Sequence, residues 1–585
     1  MKKTHNAIKK ISAIFLSALL VLTGCDLSTE SNSEKSQDTE QTEETGGEEK
    51  ESGQNEQQEQ DSQQEQDSQQ KQGDSENFNI SSIEFAKRMI VGWNLGNTLD
   101  ATDSNTNYGA GTETFWGMPK TTQAMIKAVS AAGFKTIRIP VSWHNHVSTD
   151  GKYTINSEWM ARVKEIVDWA ISEDMYVIIN IHHDNFSVTD IATNAGFALS
   201  PTDTAIQTKS KAYLEAVWTQ IATTFNNEYD EKLIFEVLNE PRDIYSGSGE
   251  NHEWYFSSAT EAKKYCDVIT DYENTCISAI RSTGGNNAYR FIMVPGYDAS
   301  GTDQTMLNSY TLPEDTASDK LILSVHAYSP YNFAMANSDS VFGSDDEASL
   351  TSIFNFLKSN FIDKKIGVVM GEASASNKNN TDERIKWAKD YFAKANAIGI
   401  PVVLWDNMIA TPDGNENVSD GYNGEHHGWL NRNALQWYFP SIIQTMMKVV
   451  GVADYSIPEY VAPTESSIGW DASKATTIST ESSVLQWNND CEINKSYFSN
   501  ATEGSILKIT FEANGAAIKI INSSWKTYSD GTIVNGSVTS EDGVITADST
   551  DLYYVLTAEN ASEWKDSNIY IAGQGGTVTG IYFQN

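Results

Sequence analysis

Between Met89 and Val450 the chain alternates short, continuously apolar runs with longer segments whose apolar residues recur at helical spacing. The runs predict strands at Val91–Leu95, Thr136–Ile139, Val177–Ile181, Leu233–Val237, Phe291–Val294, Leu321–Val325, Gly367–Met370 and Val402–Leu404. Runs this short and this uniformly apolar suit parallel strands covered on both faces. Helical spacing predicts helices at Thr121–Ala132, Glu158–Ser172, Lys211–Phe225, Tyr265–Ser282, Leu350–Ser359, Asp382–Ile398 and Ala434–Val449. In the second of these, Trp159, Val163, Ile166, Val167 and Ile171 share one face. Eight strands in such alternation point to an α/β architecture, a (β/α)8 TIM barrel over residues 78–455. A doubly wound open sheet is the alternative, but no GxGxxG or Walker-type loop follows any strand.

Beyond Pro458 the helical period disappears. After a linker at 456–465, residues 466–585 show short alternating runs such as Ile506–Phe511, Ala517–Ile521 and Tyr553–Leu556, separated by Gly, Asn, Asp and Ser. This is the pattern of a smaller all-β sandwich. It holds four tryptophans, Trp470, Trp487, Trp525 and Trp564. Flat aromatic faces pair with the C–H faces of sugars, so the tail resembles a carbohydrate-binding module, with Trp525, Trp487 and Trp564 as candidate sugar contacts. A structural β-domain that buries these rings is the other reading.

The first 77 residues read differently again. Four lysines precede the apolar run Ile11–Leu22, which ends in Leu22-Thr23-Gly24-Cys25. This is a secretory signal over 1–24, and its last four residues resemble a bacterial lipobox, which implies cleavage before Cys25 and diacylation of its thiol. Residues 25–77 contain no aromatic residue and repeat Glu-Gln-Asp-Ser-Gln-Gln in tandem, a disordered, self-repelling spacer. The expectation is a monomer on the extracellular face of a bacterial cell, lipid-anchored to the membrane at Cys25. The formal charge of −38 argues against nucleic acid as a partner. Cys266 and Cys276 fall ten residues apart in one predicted helix, about 15 Å at 1.5 Å per residue, too far for a disulfide.

In a (β/α)8 barrel the reactive groups come from the C-terminal ends of the strands. Those ends offer Asn94 and Asn97, Arg138, His182-His183-Asp184, Asn239-Glu240-Pro241, His326-Ala327-Tyr328, Glu372 and Trp405. Glu240 and Glu372 lie on strands four and seven, facing each other across the barrel mouth. Either acid alone is an ordinary loop carboxylate, whereas two together are what glycoside hydrolysis needs, with no cofactor and no metal. A metal at His182-His183-Asp184 lacks a fourth ligand of clear spacing.

The ordered motifs Gly92-Trp93-Asn94-Leu95-Gly96-Asn97, Thr136–Trp143, Ile181-His182-His183-Asp184, Val237–Arg242, His326-Ala327-Tyr328, Val369-Met370-Gly371-Glu372 and Leu404-Trp405-Asp406-Asn407 resemble glycoside hydrolase family 5. The first motif and the paired histidines are most similar to its subfamily 4, endo-β-1,4-glucanases that also cut xyloglucan and mixed-linkage glucan. The resemblance implies a retaining endoglucanase acting on plant-type β-glucans, with Glu240 as acid/base and Glu372 as nucleophile. It further implies that Arg138 keeps Glu372 ionised, that Asn239 holds the sugar 2-hydroxyl, and that Tyr328 and His326 bond the two acids. His182 and His183 would bind the sugar, Trp405 would stack under it, and Asn97 would complete the cleft. A mannanase or xylanase on the same barrel, or a non-catalytic polysaccharide-capture lipoprotein, are the alternatives. His426-His427 read as loop surface or a remote sugar contact, Trp116, Trp143 and Trp429 as cleft floor or rim packing, and Trp159 and Trp169 as packing.

Overall fold

A computed structural model describes residues 78–585 except 104–108, 248, 336–338, 411–425, 488–490 and 540–542. The signal, Cys25 and the spacer therefore lie outside the described residues. Eight parallel strands close into a barrel in sequential order: β1 (Val91–Asn94), β2 (Thr136–Ile139), β3 (Tyr176–Asn180), β4 (Leu233–Glu236), β5 (Ile292–Ser300), β6 (Leu321–His326), β7 (Gly367–Ala373) and β8 (Val402–Leu404). β8 pairs with β1 to complete the ring. The TIM barrel expected from the alternation is what forms.

The helices lie where the apolar spacing put them, with ends set by local chemistry. The 157–172 helix is capped by Asn156, whose Oδ1 accepts from two backbone N–H groups, and Trp159 on its buried face stacks on His146. The third helix begins at Thr204, seven residues earlier than expected, because Asp203 caps it. The last begins at Pro440 rather than Ala434, since 430–431 and 436–437 pair as a small antiparallel ladder and proline suits a first helical position. Cys266 and Cys276 are both buried, free, and on the 259–282 helix.

Among the elements not anticipated, one closes the barrel. The helix Ser82–Met89 stacks Phe85 on Phe291, ring centroids 3.8 Å apart, just before β5. Phe85, Ala86 and Met89 join inward-facing Ile178, Ile234, Ile322, Val369 and Val403 in one buried cluster. This closes the end of the barrel at the strand N-termini, so the opening lies at the other end.

The C-terminal region is a sandwich of two antiparallel sheets. One orders strands 476–479, 577–584, 506–511, 551–555 and 532–534; the other orders 491–493, 569–574, 517–522, 545–547 and 536–538. Their inner faces enclose Trp564, Phe498, Phe583, Tyr528 and Tyr554. Trp564 is wholly buried there, so it is a core residue and cannot meet a sugar as the sequence suggested. Trp470 packs on Tyr553. Trp487 and Trp525 are 39% and 68% exposed.

Candidate active site

The inside of the barrel at its open end is polar where the rest of it is apolar. Asn94, Arg138, Asn180, Glu236 and Ser324 all point inward, and none is exposed. Arg138 organises them. Its Nε donates to Glu236 at 2.7 Å, Nη1 to Glu372 at 2.7 Å and to Asn94 at 3.0 Å, and Nη2 to Asn239 at 2.6 Å. Glu236 also accepts from Asn180 at 3.0 Å and Ser324 at 2.6 Å. The guanidinium is sealed from solvent, so Arg138 is no sugar contact; it is a clamp between two carboxylates. Because a guanidinium only donates, Asn239 must turn its Oδ1 toward Arg138, which leaves its NH2 to donate elsewhere.

Above this layer sit the two acids. A carboxylate oxygen of Glu240, one of Glu372 and a ring nitrogen of His326 lie within 4.8 Å of one another. His326 Nδ1 is 2.7 Å from Glu240 Oε1 and 3.7 Å from Glu372 Oε2, and Tyr328 Oη donates to Glu372 Oε2 at 2.8 Å. Register shifts in β7 against both neighbours aim Glu372 inward. Gly371 sits in that irregularity, where an added Cβ would come within 3.0 Å of His326 Nε2. Burial pushes the Glu240 carboxyl up, but His326, Arg242 and His183 outweigh it and hold it down, at about 2. Burial pushes His326 down, and Glu372 and Glu240 outweigh that and raise it. Glu240 and His326 thus titrate together as a coupled pair, each favouring the charged form of the other.

His182 accepts from Asn180 Nδ2 through Nδ1 at 3.1 Å, which places its own proton on Nε2. Burial holds its pKa well below the usual value, so it is a neutral donor. Its ring lies parallel to Trp405, centroids 6.0 Å apart, and touches His183 edge-on at 4.3 Å. Trp405 fits because residue 96 is glycine: a Cβ there would stand 2.8 Å from the indole. His183 is exposed at the mouth, 5.6 Å from Trp116. Asn97 is only 2% exposed, in a left-handed turn (φ 58°) that Asp100 pins by accepting its N–H, so it lies beneath the cleft floor.

Several expectations are corrected. Asp184 faces away from the histidine pair: it accepts from the backbone of Trp143, from Tyr213 and from the His144 ring, and Asp100 is the carboxylate that comes within 4.8 Å of His182 and His183. His426 and His427 are buried, not surface, and His427 lies 5.4 Å from the Tyr328 ring. Trp143 and Trp429 are fully buried packing, while Trp116 is half-buried. Sequence reading missed Glu236 and Asn180, whose signal was a polar residue inside a barrel strand, and Arg242, which reaches Glu240 at 3.5 Å and lies over Trp254.

Residues 99–411 match the cellulase family, glycosyl hydrolase family 5. The chain belongs to glycosyl hydrolase family 5. Endoglucanase A of Clostridium longisporum is 42% identical over 376 residues, 63% of this chain and 66% of that protein; the chain thus spans about two thirds of that relative's length. A broad-specificity endoglucanase of subfamily GH5-4 from Ruminococcus champanellensis, solved with bound cellotriose, is 40% identical with a TM-score of 0.55 and covers 63% of this chain and 98% of that one. A family 5 lichenase from Caldicellulosiruptor sp. F32 is 37% identical with a TM-score of 0.55, covering 64% and 96%. In this family 5 barrel the two acids, the arginine and the paired histidines form one connected constellation.

Proposed function

We propose that the barrel is an endo-β-1,4-glucanase working with net retention on cellulose-like chains, mixed-linkage glucan and xyloglucan. The carrying observation is the approach of Glu240 and Glu372 oxygens within 4.8 Å, with His326 between them. A retaining glycosidase needs its carboxyls about 5–5.5 Å apart, and an inverting one needs room for a water between more distant acids. Glu372, held by Arg138 and Tyr328, attacks the anomeric carbon while Glu240, supplied with the proton it shares with His326, protonates the leaving oxygen. Once Glu372 is esterified its charge is gone, Glu240 loses a like-charged neighbour, and it then serves as base for the attacking water. The free NH2 of Asn239 meets the 2-hydroxyl, a bond that tightens as oxocarbenium character develops. Trp405 and His182 floor the subsite.

Following the anomer released from a defined oligosaccharide by NMR tests this reading: first-formed β product is expected, and α product overturns it. Product profiles on glucan, xyloglucan, mannan and xylan fix the substrate. The sandwich is proposed to bind glycan through exposed Trp525 and Trp487, and affinity electrophoresis in soluble glucan tests it. The monomer is proposed to be tethered through acylated Cys25; Cys25→Ala should abolish labelling by radioactive palmitate.

A further inference from the structure

The sandwich meets the barrel at a point that bears on the cleft. Ser529, itself 1% exposed, donates through Oγ to the carbonyl of Gly117 at 2.8 Å. The backbones approach so closely that a Cβ at Gly117 would stand 3.1 Å from Gly543 Cα, and Gly117 has φ +78°. Gly117 immediately follows Trp116, the half-buried ring beside His183 at the cleft mouth. The same loop is fixed from the other side, where Arg162 makes two 2.8 Å hydrogen bonds to Glu113. Trp116 is therefore held between the barrel and the sandwich.

On the sandwich side, Trp525 lies four residues before Ser529, in the same 523–531 connection. Four residues reach at most about 14 Å even fully extended. Trp525 is 68% exposed in a left-handed conformation (φ 65°), at the corner of a turn closed by its own N–H to the Asn522 carbonyl at 3.0 Å. A bulky residue held there and left in solvent is the kind of strain found at binding sites.

We propose that Trp525 is a distal sugar subsite continuous with the catalytic cleft, so that one glucan chain leaving the cleft past Trp116 is bound by the docked sandwich. This rests on the reading of the sandwich as glycan-binding and adds that its site and the active site engage the same chain.

The test uses the full-length protein with cello-oligosaccharides of increasing length. Trp525→Ala should raise KM about 5–10-fold for the longest oligomers, the scale of about 1–1.4 kcal/mol expected for losing one stacking face. It should leave kcat and the trimer and tetramer unchanged. Ser529→Arg, which wedges the contact apart, should reproduce this length dependence while retention on insoluble glucan persists. If Trp525→Ala weakens retention on polymer but leaves KM unchanged at every length, the continuous site is wrong and the glycan-binding reading stands. If it changes neither, both are wrong. Should Ser529→Arg also lose retention, the sandwich has been damaged and the length dependence of Trp525→Ala decides alone.

Discussion

Arg138 and Glu372 meet at 2.7 Å on the floor of the cleft, the arginine fully out of solvent and the glutamate 6% exposed. The same arginine serves Glu236 from its other edge, so one cation compensates two carboxylates. This makes the two possible disruptions unequal. Arg138→Ala leaves two buried anions uncompensated and should cost about 3–5 kcal/mol of stability. Glu236→Gln leaves a one-to-one pair and keeps an oxygen for Asn180 or Ser324, so its cost should stay near about 1–3 kcal/mol. Urea unfolding midpoints at constant m check the order, and equal losses would show that Glu236 is as central as the arginine.

Removing the nucleophile should leave the fold. Glu372→Ala should lower kcat by about 10⁴-fold or more, the scale for loss of a covalent nucleophile, with the circular dichroism spectrum and melting curve unchanged in form. Residual activity within tenfold of the parent would remove Glu372 from the mechanism.

The pH profile reports the shared proton. Because His326 is raised above 6.5, the alkaline limb of kcat/KM should lie on the high side of that value, where the pair loses its proton. In His326→Ala that proton must reside on Glu240 alone, and a carboxyl releases its proton at lower pH than an imidazole does. The alkaline limb should therefore move to lower pH and the optimum narrow. An unmoved limb would place the titrating group elsewhere.

Much of this was readable because a barrel's chemistry is displayed in strand order: the runs at strands four, six, seven and eight ended in Glu240, His326, Glu372 and Trp405, which the structure delivers to the mouth. The hidden parts share a cause. Glu236 sits within the run Leu233–Val237, where hydropathy absorbs a single charge, yet Arg138 in the Thr-Ile-Arg-Ile run two strands away already needed a buried partner. His426-His427 looked like surface because loop burial is decided by tertiary packing. Trp525 and Trp564 both lie among polar residues in sequence, and it is the short helix Ala558–Trp564, absent from an all-β reading of the tail, that turns Trp564 into the core with Ala561.

That distinction has a measurable consequence. Trp564→Ala should destabilise the sandwich by about 3–5 kcal/mol, as expected for emptying a core site of that size, and lower its melting transition. Trp525→Ala should leave the transition in place. Differential scanning calorimetry on the full chain resolves the two, and a matching loss in both variants would mean that Trp525 is also structural.

Gly371 links backbone geometry to proton transfer. It lies between Met370 and Glu372 in the irregular part of β7, its carbonyl accepts from Asn94 at 2.9 Å, and its missing side chain leaves room for His326 Nε2 and Ser324 Oγ at 3.0 and 3.1 Å from where a Cβ would be. An alanine here meets the imidazole whose other nitrogen holds Glu240 at 2.7 Å. The ring must give by a few tenths of an ångström, and the hydrogen bond it makes is already short. Gly371→Ala should therefore cut kcat by about tenfold, equivalent to about 1.4 kcal/mol at the transition state, and shift the alkaline limb in the same direction as His326→Ala. Stability should change by no more than about 1 kcal/mol, since restricting the unfolded chain offsets part of the crowding. If kcat and the pH profile are those of the parent, His326 has room to spare, and its position is fixed by Glu240 and Glu372 alone.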